Sequence, residues 1–244
     1  MNKRKLNVAS LMINLTVFIL VAYSVAHGFR TDIIRETEII NGFFITDFTG
    51  FQSFRYFTTL SNAFAAIASA ILLVFNVKNV INDGYFFPKW AMTLKYAATS
   101  AVALTFLTVA LFLSPLIAIN GGRWFMLFEG NGFFLHFLIP ALAVCGFIVF
   151  EKTPYPDFKR TLLAALPTAV YAAVYAVMVI SVKAWPDFYG FTFNGTYWKT
   201  ALTVFMICAA SYGLSVLLYA LRRKKTKFYR RRLLPATAKI QSDL

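Results

Sequence analysis

Long apolar stretches alternate with short polar connections along this chain, and six of the stretches are long enough to cross a membrane. They occupy residues 8–27, 53–76, 96–119, 132–150, 161–182 and 199–221. A spanning helix needs about 20 apolar residues, because the hydrocarbon layer is about 30 Å thick and a helix rises about 1.5 Å per residue. The pattern therefore predicts an all-α integral membrane protein, a bundle of six spanning helices.

The composition agrees with this pattern. Of the 244 residues, 59% are hydrophobic and 14% are charged, and the mean hydropathy is +0.65. A soluble chain would carry about 25% charged residues. Little sequence remains outside the spans, so we predict one spanning domain at residues 1–221 and a basic tail at 222–244. The first apolar stretch is too long for a signal peptide and no small-residue cleavage site follows it, which predicts a permanent anchor.

The positive charge predicts the orientation of the chain in the membrane. The net charge is +14, and 18 of the 24 basic residues lie at the two termini and in the second and fourth connections. Cytoplasmic loops concentrate Lys and Arg, so both termini are predicted to be cytoplasmic, as an even number of spans requires. The basic tail is most simply an anchor to anionic lipid, and a nucleic-acid partner is not predicted.

Polar side chains form a stripe at the start of the second span. At 100° per residue, Arg55, Thr58 and Asn62 fall on one face about 80° wide, followed by small residues. For the stripe as a whole, the favoured interpretation is close packing of helices through small and hydroxyl residues. Packing does not readily explain an arginine one turn outward of a threonine, so a polar site near the outer face is the second interpretation.

The fourth span contains His136, predicted about 6–8 Å below the helix start and therefore at a depth similar to that of Thr58. Pro140 cannot donate an N–H to the carbonyl of residue 136, which predicts a kink beside the imidazole. Asn131 is a reasonable N-cap for this helix. Glu129 is placed to orient a cationic imidazole.

Other polar groups are less informative. His27, the only other histidine, has no metal-ligand spacing with Asp32 or Glu36, so neither a metal nor another cofactor is predicted. Acidic residues are absent from the predicted spans, which disfavours ion-coupled transport. Tyr171 and Tyr175 share one face of the fifth span, where packing is favoured over lining a cavity. The aromatic connections 30–51 and 186–197 are either caps over a pocket or interfacial loops.

Two short runs resemble a known family. Arg55-Tyr56-Phe57-Thr58-Thr59-Leu60-Ser61-Asn62 and His136-Phe137-Leu138-Ile139-Pro140 resemble the androgen-induced gene family of six-pass membrane proteins and its bacterial relatives, the Pr-six-Pr membrane proteins. Animal members hydrolyse fatty acid esters of hydroxy fatty acids with an intramembrane Thr and His. The resemblance implies that Thr58 is the nucleophile and His136 the base, in a bacterial plasma membrane. The spacing of four from His136 to Pro140 is shorter than expected for animal members, and Thr59 is a second candidate nucleophile.

The leading prediction is a lipid-ester hydrolase near the outer face with Thr58 and His136 as catalytic residues. Arg55 and Asn62 are the candidate substrate-binding residues, since either is suited to an acyl carboxylate or an oxyanion. Two alternatives remain open: a non-catalytic membrane protein that binds or passes a lipid or small apolar ligand, and a structural partner subunit. The predicted partners are the lipid bilayer and a lipid or fatty-acyl ligand, with no prediction of oligomeric state.

Overall fold

The computed structural model describes residues 3–30, 38–40, 43–45, 50–84, 86–151, 157–191 and 196–242. Six of its helices are long and apolar enough to cross a membrane, which confirms the prediction of an all-helical membrane protein. These helices are α1 (Lys3–Arg30), α2 (Phe57–Ile81), α3 (Lys89–Ile119), α4 (Asn131–Phe150), α5 (Arg160–Ser181) and α6 (Tyr197–Ser242). Helix α6 runs on past the predicted domain boundary at residue 221.

The described parts of the connections include two short strands and two 3-10 helices. Strands β1 (Glu38–Ile40) and β2 (Phe43–Ile45) pair antiparallel in the connection between α1 and α2, half of which lies outside the described residues. A 3-10 helix, Gly50–Arg55, precedes α2, and another, Met126–Phe128, precedes α4. The end of the bundle where α1 begins and α2 ends is called the terminal face here, and the opposite end is the distal face.

Helix α3 is the centre of the bundle. It packs against α2, α4, α5 and α6. Many of its buried side chains are small, and small residues let helix backbones approach closely in membranes; they include Ala97, Ala98, Ala101 and Ala103. The apolar core beside α3 is completed by Val17 of α1, Ala65 of α2 and Ile139 of α4, among others. Helix α2, which carries the candidate residues Thr58 and Asn62, therefore has α3 as a closely packed neighbour.

A π-helical turn, Phe134–Leu138, interrupts α4 just before Pro140, where the sequence predicts a kink. In this turn the N–H of Ile139 donates to the carbonyl of Phe134, five residues back. The next such bond would run from residue 140 to the carbonyl of Leu135, but proline has no N–H. The Leu135 carbonyl therefore needs a donor from another helix. Turns of this kind occur often at functional sites.

A charged side chain lies inside the terminal half of the bundle. Sequence analysis places Lys95 in a connection, but it belongs to the second turn of α3 and is 1% exposed. Its Nζ donates to Asn14 Oδ1 at 2.8 Å and to Ser69 Oγ at 3.0 Å. It also lies 3.9 Å from Glu151 Oε1, in a carboxylate that is completely buried. Lys95 thus joins α1, α2 and the residue that follows α4.

Arg222 extends this buried cluster to α6. The sequence assigns Arg222 to the tail, but its side chain is buried. Its Nη2 donates to the Glu151 carbonyl at 2.8 Å, and its guanidinium lies 4.4 Å from the centroid of the Phe147 ring. Cations over aromatic faces are favourable where water is excluded. The packed part of α6 therefore extends beyond residue 221.

Candidate functional site

Thr58 lines a cavity between α2, α3, α5 and α6 at the distal face. The lining combines apolar side chains with hydroxyl groups, among them those of Thr105, Thr168, Tyr171 and Tyr175. The packing interpretation favoured for the two tyrosines is therefore incomplete, because both also line a cavity. Thr59, the neighbouring candidate nucleophile, is buried but does not line it.

The loop after α5 closes the cavity over the start of α2. The Tyr189 hydroxyl accepts the Phe57 N–H at 3.0 Å, and the Tyr171 hydroxyl donates to the Arg55 carbonyl at 2.7 Å. The first N–H groups of a helix have no intrahelical partner, and Tyr56 at the N-cap supplies no side-chain bond. Tyr189 satisfies one of these groups from another element. Burial raises the pKa of Tyr189 to about 12, so its hydroxyl stays protonated at neutral pH.

Asp187 holds this loop in place. Its Oδ1 accepts the Tyr175 hydroxyl at 2.5 Å and the Phe191 N–H at 3.0 Å. The Tyr175 hydroxyl in turn accepts the Tyr189 N–H at 3.2 Å. Tyr189 and Phe191 both line the cavity, which confirms the cap interpretation for this part of the connection 186–197. Residues 192–195 of that connection lie outside the described residues.

The imidazole of His136 is oriented by a backbone carbonyl. Its Nδ1 lies 2.6 Å from the Leu127 oxygen. A carbonyl only accepts, so Nδ1 carries the hydrogen, and in the neutral ring Nε2 is then the acceptor. The predicted partner, Glu129, instead forms an ion pair of 2.7 Å with Arg123. The ring therefore offers Nε2 as a base without the help of a carboxylate.

The N-cap of α4 is not the residue that the sequence predicts. Gly130, at a φ of 53°, is the N-cap, and it has no side chain to cap the helix. Asn131 is the first helical residue, and its amide donates to the Ser24 carbonyl of α1 at 3.1 Å. The prediction of Asn131 as N-cap is therefore wrong, and this residue instead attaches α4 to α1.

Asn62 connects the turn that carries Thr58 to the turn that carries His136. Its side chain is fully buried, and Nδ2 donates to the Thr58 carbonyl at 2.8 Å and to the Leu135 carbonyl at 3.1 Å. The latter is the carbonyl that Pro140 leaves without a backbone donor. Both N–H groups of Asn62 are thereby used, and its Oδ1 is buried without a hydrogen-bond partner. Its predicted contact with substrate remains a prediction.

The backbones of the two catalytic candidates are close, but their side chains do not meet. Within the described residues no hydrogen bond joins Thr58 Oγ1 to the His136 ring, and His136 does not line the cavity. Helix α2 begins at Phe57 rather than at residue 53. Thr58 therefore lies in the first turn of α2, whereas His136 lies five residues into α4. The catalytic pairing remains a prediction.

Arg55 does not extend the polar face of α2. It ends the 3-10 helix, and Tyr56 then adopts an extended conformation with φ −77° and ψ 136° before α2 begins. A rotation of 100° per residue therefore does not apply between Arg55 and Thr58. The contact that fixes the Arg55 backbone is the hydrogen bond from Tyr171. Binding of an acyl carboxylate by its guanidinium remains a prediction.

Replacing Asn62 by leucine is expected to destabilise the protein by about 1–2 kcal/mol, because the buried Leu135 carbonyl loses its donor. Denaturant unfolding in detergent micelles measures the change. Asn120→Leu is the matched control: its amide donates to the Leu116 carbonyl, which also accepts the Asn120 N–H and so keeps a partner. Equal stability of the two variants would contradict the role assigned to Asn62.

Comparison of the chain with protein families, curated proteins and solved structures finds no match. The family resemblance of the two short runs therefore remains a prediction. The interpretation of the site rests on three features of its geometry: the cavity at Thr58, the oriented imidazole of His136 and the Asn62 connection between their helices.

Proposed function

We propose that this chain is an intramembrane lipid-ester hydrolase with Thr58 as nucleophile and His136 as general base. The observation that carries the proposal is the position of Thr58 in an apolar cavity that is also lined by hydroxyl groups. The apolar part of this lining suits an acyl chain, and the hydroxyl groups suit the polar atoms of an ester. The oriented ring of His136, whose Nε2 is left as an acceptor, supports the assignment of the base.

In the proposed reaction, His136 Nε2 takes the proton from Thr58 Oγ1 as Oγ1 attacks the ester carbonyl carbon. The bond to the alcohol oxygen then breaks, and the imidazolium returns the proton to the leaving alcohol. Water, deprotonated by the same nitrogen, attacks the acyl-threonine, releases the fatty acid and restores the Thr58 hydroxyl. Proton transfer requires Nε2 within about 3 Å of Oγ1, so the ring must approach Thr58 once substrate is bound.

The start of α2 supplies donors for the developing negative charge. The N–H groups of Thr58 and Thr59 lie in the first turn, where helical N–H groups have no carbonyl four residues back within the helix. The positive end of the helix dipole adds to their effect. These donors are free of the constraint on Asn62, whose two N–H groups already bind the Thr58 and Leu135 carbonyls.

The distribution of charge supports a location for the site. We place the terminal face and both chain ends in the cytoplasm of a bacterial cell, because most basic residues lie at that end of the spans. The distal face, with Thr58 and the cavity, then lies near the outer leaflet of the plasma membrane. An ester group close to the lipid headgroups is within reach of such a site.

A second candidate function is the binding or passage of an apolar ligand without catalysis. It is favoured by one observation, that His136 does not line the cavity in which Thr58 lies. Binding through the same cavity would then use its tyrosine and threonine hydroxyls to hold the polar end of the ligand.

Purified protein in liposomes tests both functions. The probe is a fatty acid ester of a hydroxy fatty acid, and the release of free fatty acid is measured by mass spectrometry. The hydrolase proposal expects release above that of protein-free liposomes, with unchanged activity in Thr59→Val, which replaces the hydroxyl outside the cavity. Saturable binding of the ester without any release would favour the second function.

A further inference from the structure

A second cavity, of about 430 Å³, lies on the lipid-facing side of the bundle between α2 and α5. Its floor consists of the small buried residues Ser61 and Ala101, the latter from α3. Its walls are apolar side chains directed outward from the bundle: Leu166 and Val170 are 53% and 54% exposed. Because the six helices are long and apolar enough to cross a membrane, lipid chains would surround this cleft.

The cleft adjoins the cavity that Thr58 lines. Phe57 and Tyr171 line both spaces, and their ring centroids are 5.0 Å apart. The Tyr171 hydroxyl is held by the Arg55 carbonyl at 2.7 Å. These two rings therefore form the partition between lipid and the Thr58 hydroxyl. Rotation of the Phe57 ring would open the partition without breaking that hydrogen bond.

We infer that the cleft is a lateral portal that binds one acyl chain and leads its polar end past Phe57 and Tyr171 to Thr58. The identity of this polar end as an ester rests on the proposed function, whereas binding of the chain does not. The ligand class follows from the lining, since apolar walls over a small-residue floor offer dispersion contacts and no charge.

The size of the cleft and the residue at its distal end fit an acyl chain. Its α5 wall from Leu166 to Val174 is about 12 Å long, at about 1.5 Å per residue. The volume of the cleft, about 430 Å³, falls within the range of about 300–1,000 Å³ that is typical of small-molecule sites. Trp185 lines the end nearest the distal face, and tryptophan rings favour the headgroup level. The polar end of the chain therefore lies toward Trp185.

Fluorescence of Trp185 tests the portal. In a variant whose other tryptophans are replaced (Trp90→Phe, Trp124→Phe and Trp198→Phe), a dibrominated fatty acid is titrated into protein in lipid nanodiscs. The bromines quench a nearby indole, so binding in the cleft is expected to give quenching that saturates and that unbrominated fatty acid reverses. The titration is repeated with protein that also carries Thr58→Ala, so that the binding measurement does not depend on turnover.

Two phenylalanine substitutions on α5 locate the bound chain. Val170→Phe fills the cleft and is expected to weaken binding about tenfold. Val177→Phe is the matched control, since Val177 is 51% exposed on the same helix but does not line the cleft. Both positions face lipid, so neither change disturbs the core.

The outcomes separate the portal from the hydrolase. Saturable quenching that Val170→Phe weakens and Val177→Phe does not supports the portal, even if no ester is ever hydrolysed. Quenching that rises in proportion to the brominated fatty acid, equally in both variants, reflects bulk lipid contact and overturns the portal. Ester hydrolysis together with that second result would leave the proposed function standing and the portal refuted.

Discussion

Replacing Lys95 by methionine is expected to destabilise the bundle by about 3–5 kcal/mol, which is a large part of the stability of most domains. Methionine has a similar length and fits an apolar interior, so the loss comes from charge and hydrogen bonding. Glu151 would remain completely buried without its cation, and Asn14 Oδ1 and Ser69 Oγ would lose their donor. Proteolysis of the unfolded fraction across a denaturant series measures the change.

Two further variants identify the cause of the Lys95 effect. Lys89→Met removes an exposed lysine at the start of the same helix and is expected to change stability by less than about 0.5 kcal/mol. The double variant Lys95→Met/Glu151→Gln is expected to recover most of the loss, because replacing a whole buried ion pair costs far less than removing one partner. If Lys95→Met is as stable as the wild type, the buried cluster has no part in holding the helices together.

Thr58→Ala is expected to reduce ester hydrolysis to the protein-free rate, because the nucleophile is removed. His136→Ala is expected to reduce it by about 10²- to 10⁴-fold, the usual contribution of a general base. Release of free fatty acid from liposomes measures both variants. Saturable binding of a brominated fatty acid is expected to persist in each, which shows that the protein is folded and that the change lies in chemistry. Unchanged hydrolysis in either variant would remove that residue from the mechanism.

Gly132 provides an independent test of the orientation of His136. A Cβ at this position would overlap the Leu127 carbonyl, the acceptor of the Nδ1 hydrogen. Gly132→Ala is therefore expected to displace that carbonyl and lower hydrolysis in the same direction as His136→Ala, with a shifted pH dependence of the rate. Gly213→Ala is the control, because a Cβ there meets nothing within 4 Å.

Hydropathy alone predicts the six spans. Backbone N–H and C=O groups without hydrogen-bond partners are costly in lipid, so an apolar stretch of this length crosses the membrane as a helix. The position of Lys95 is the main error of this approach. Its charge suggests a connection, although Pro88, a residue common at helix starts, signals that α3 begins at residue 89. Its burial depends on partners from two other helices and the residue after α4, and no pattern along one segment reports such contacts.

The sequence also identifies the candidate site residues, but it does not predict how their side chains are arranged in space. Thr58 and His136 stand out as polar groups in apolar helices, and the structure places Thr58 on a cavity. The group that orients His136 is a backbone carbonyl of Leu127, which leaves no side-chain signal. Asn62 stands out for the same reason as Thr58. Its partner, however, is the Leu135 carbonyl, which becomes free only through the π-helical turn before Pro140.

The position of a covalent adduct identifies the nucleophile. A lipid-like fluorophosphonate, which reacts with activated hydroxyl nucleophiles, is incubated with the protein in liposomes, and the labelled peptide is sequenced by mass spectrometry. We expect an adduct on the Thr58 hydroxyl, and we expect that adduct to disappear in His136→Ala. An adduct on any other residue, or labelling of Thr58 that persists without His136, would contradict the proposed mechanism.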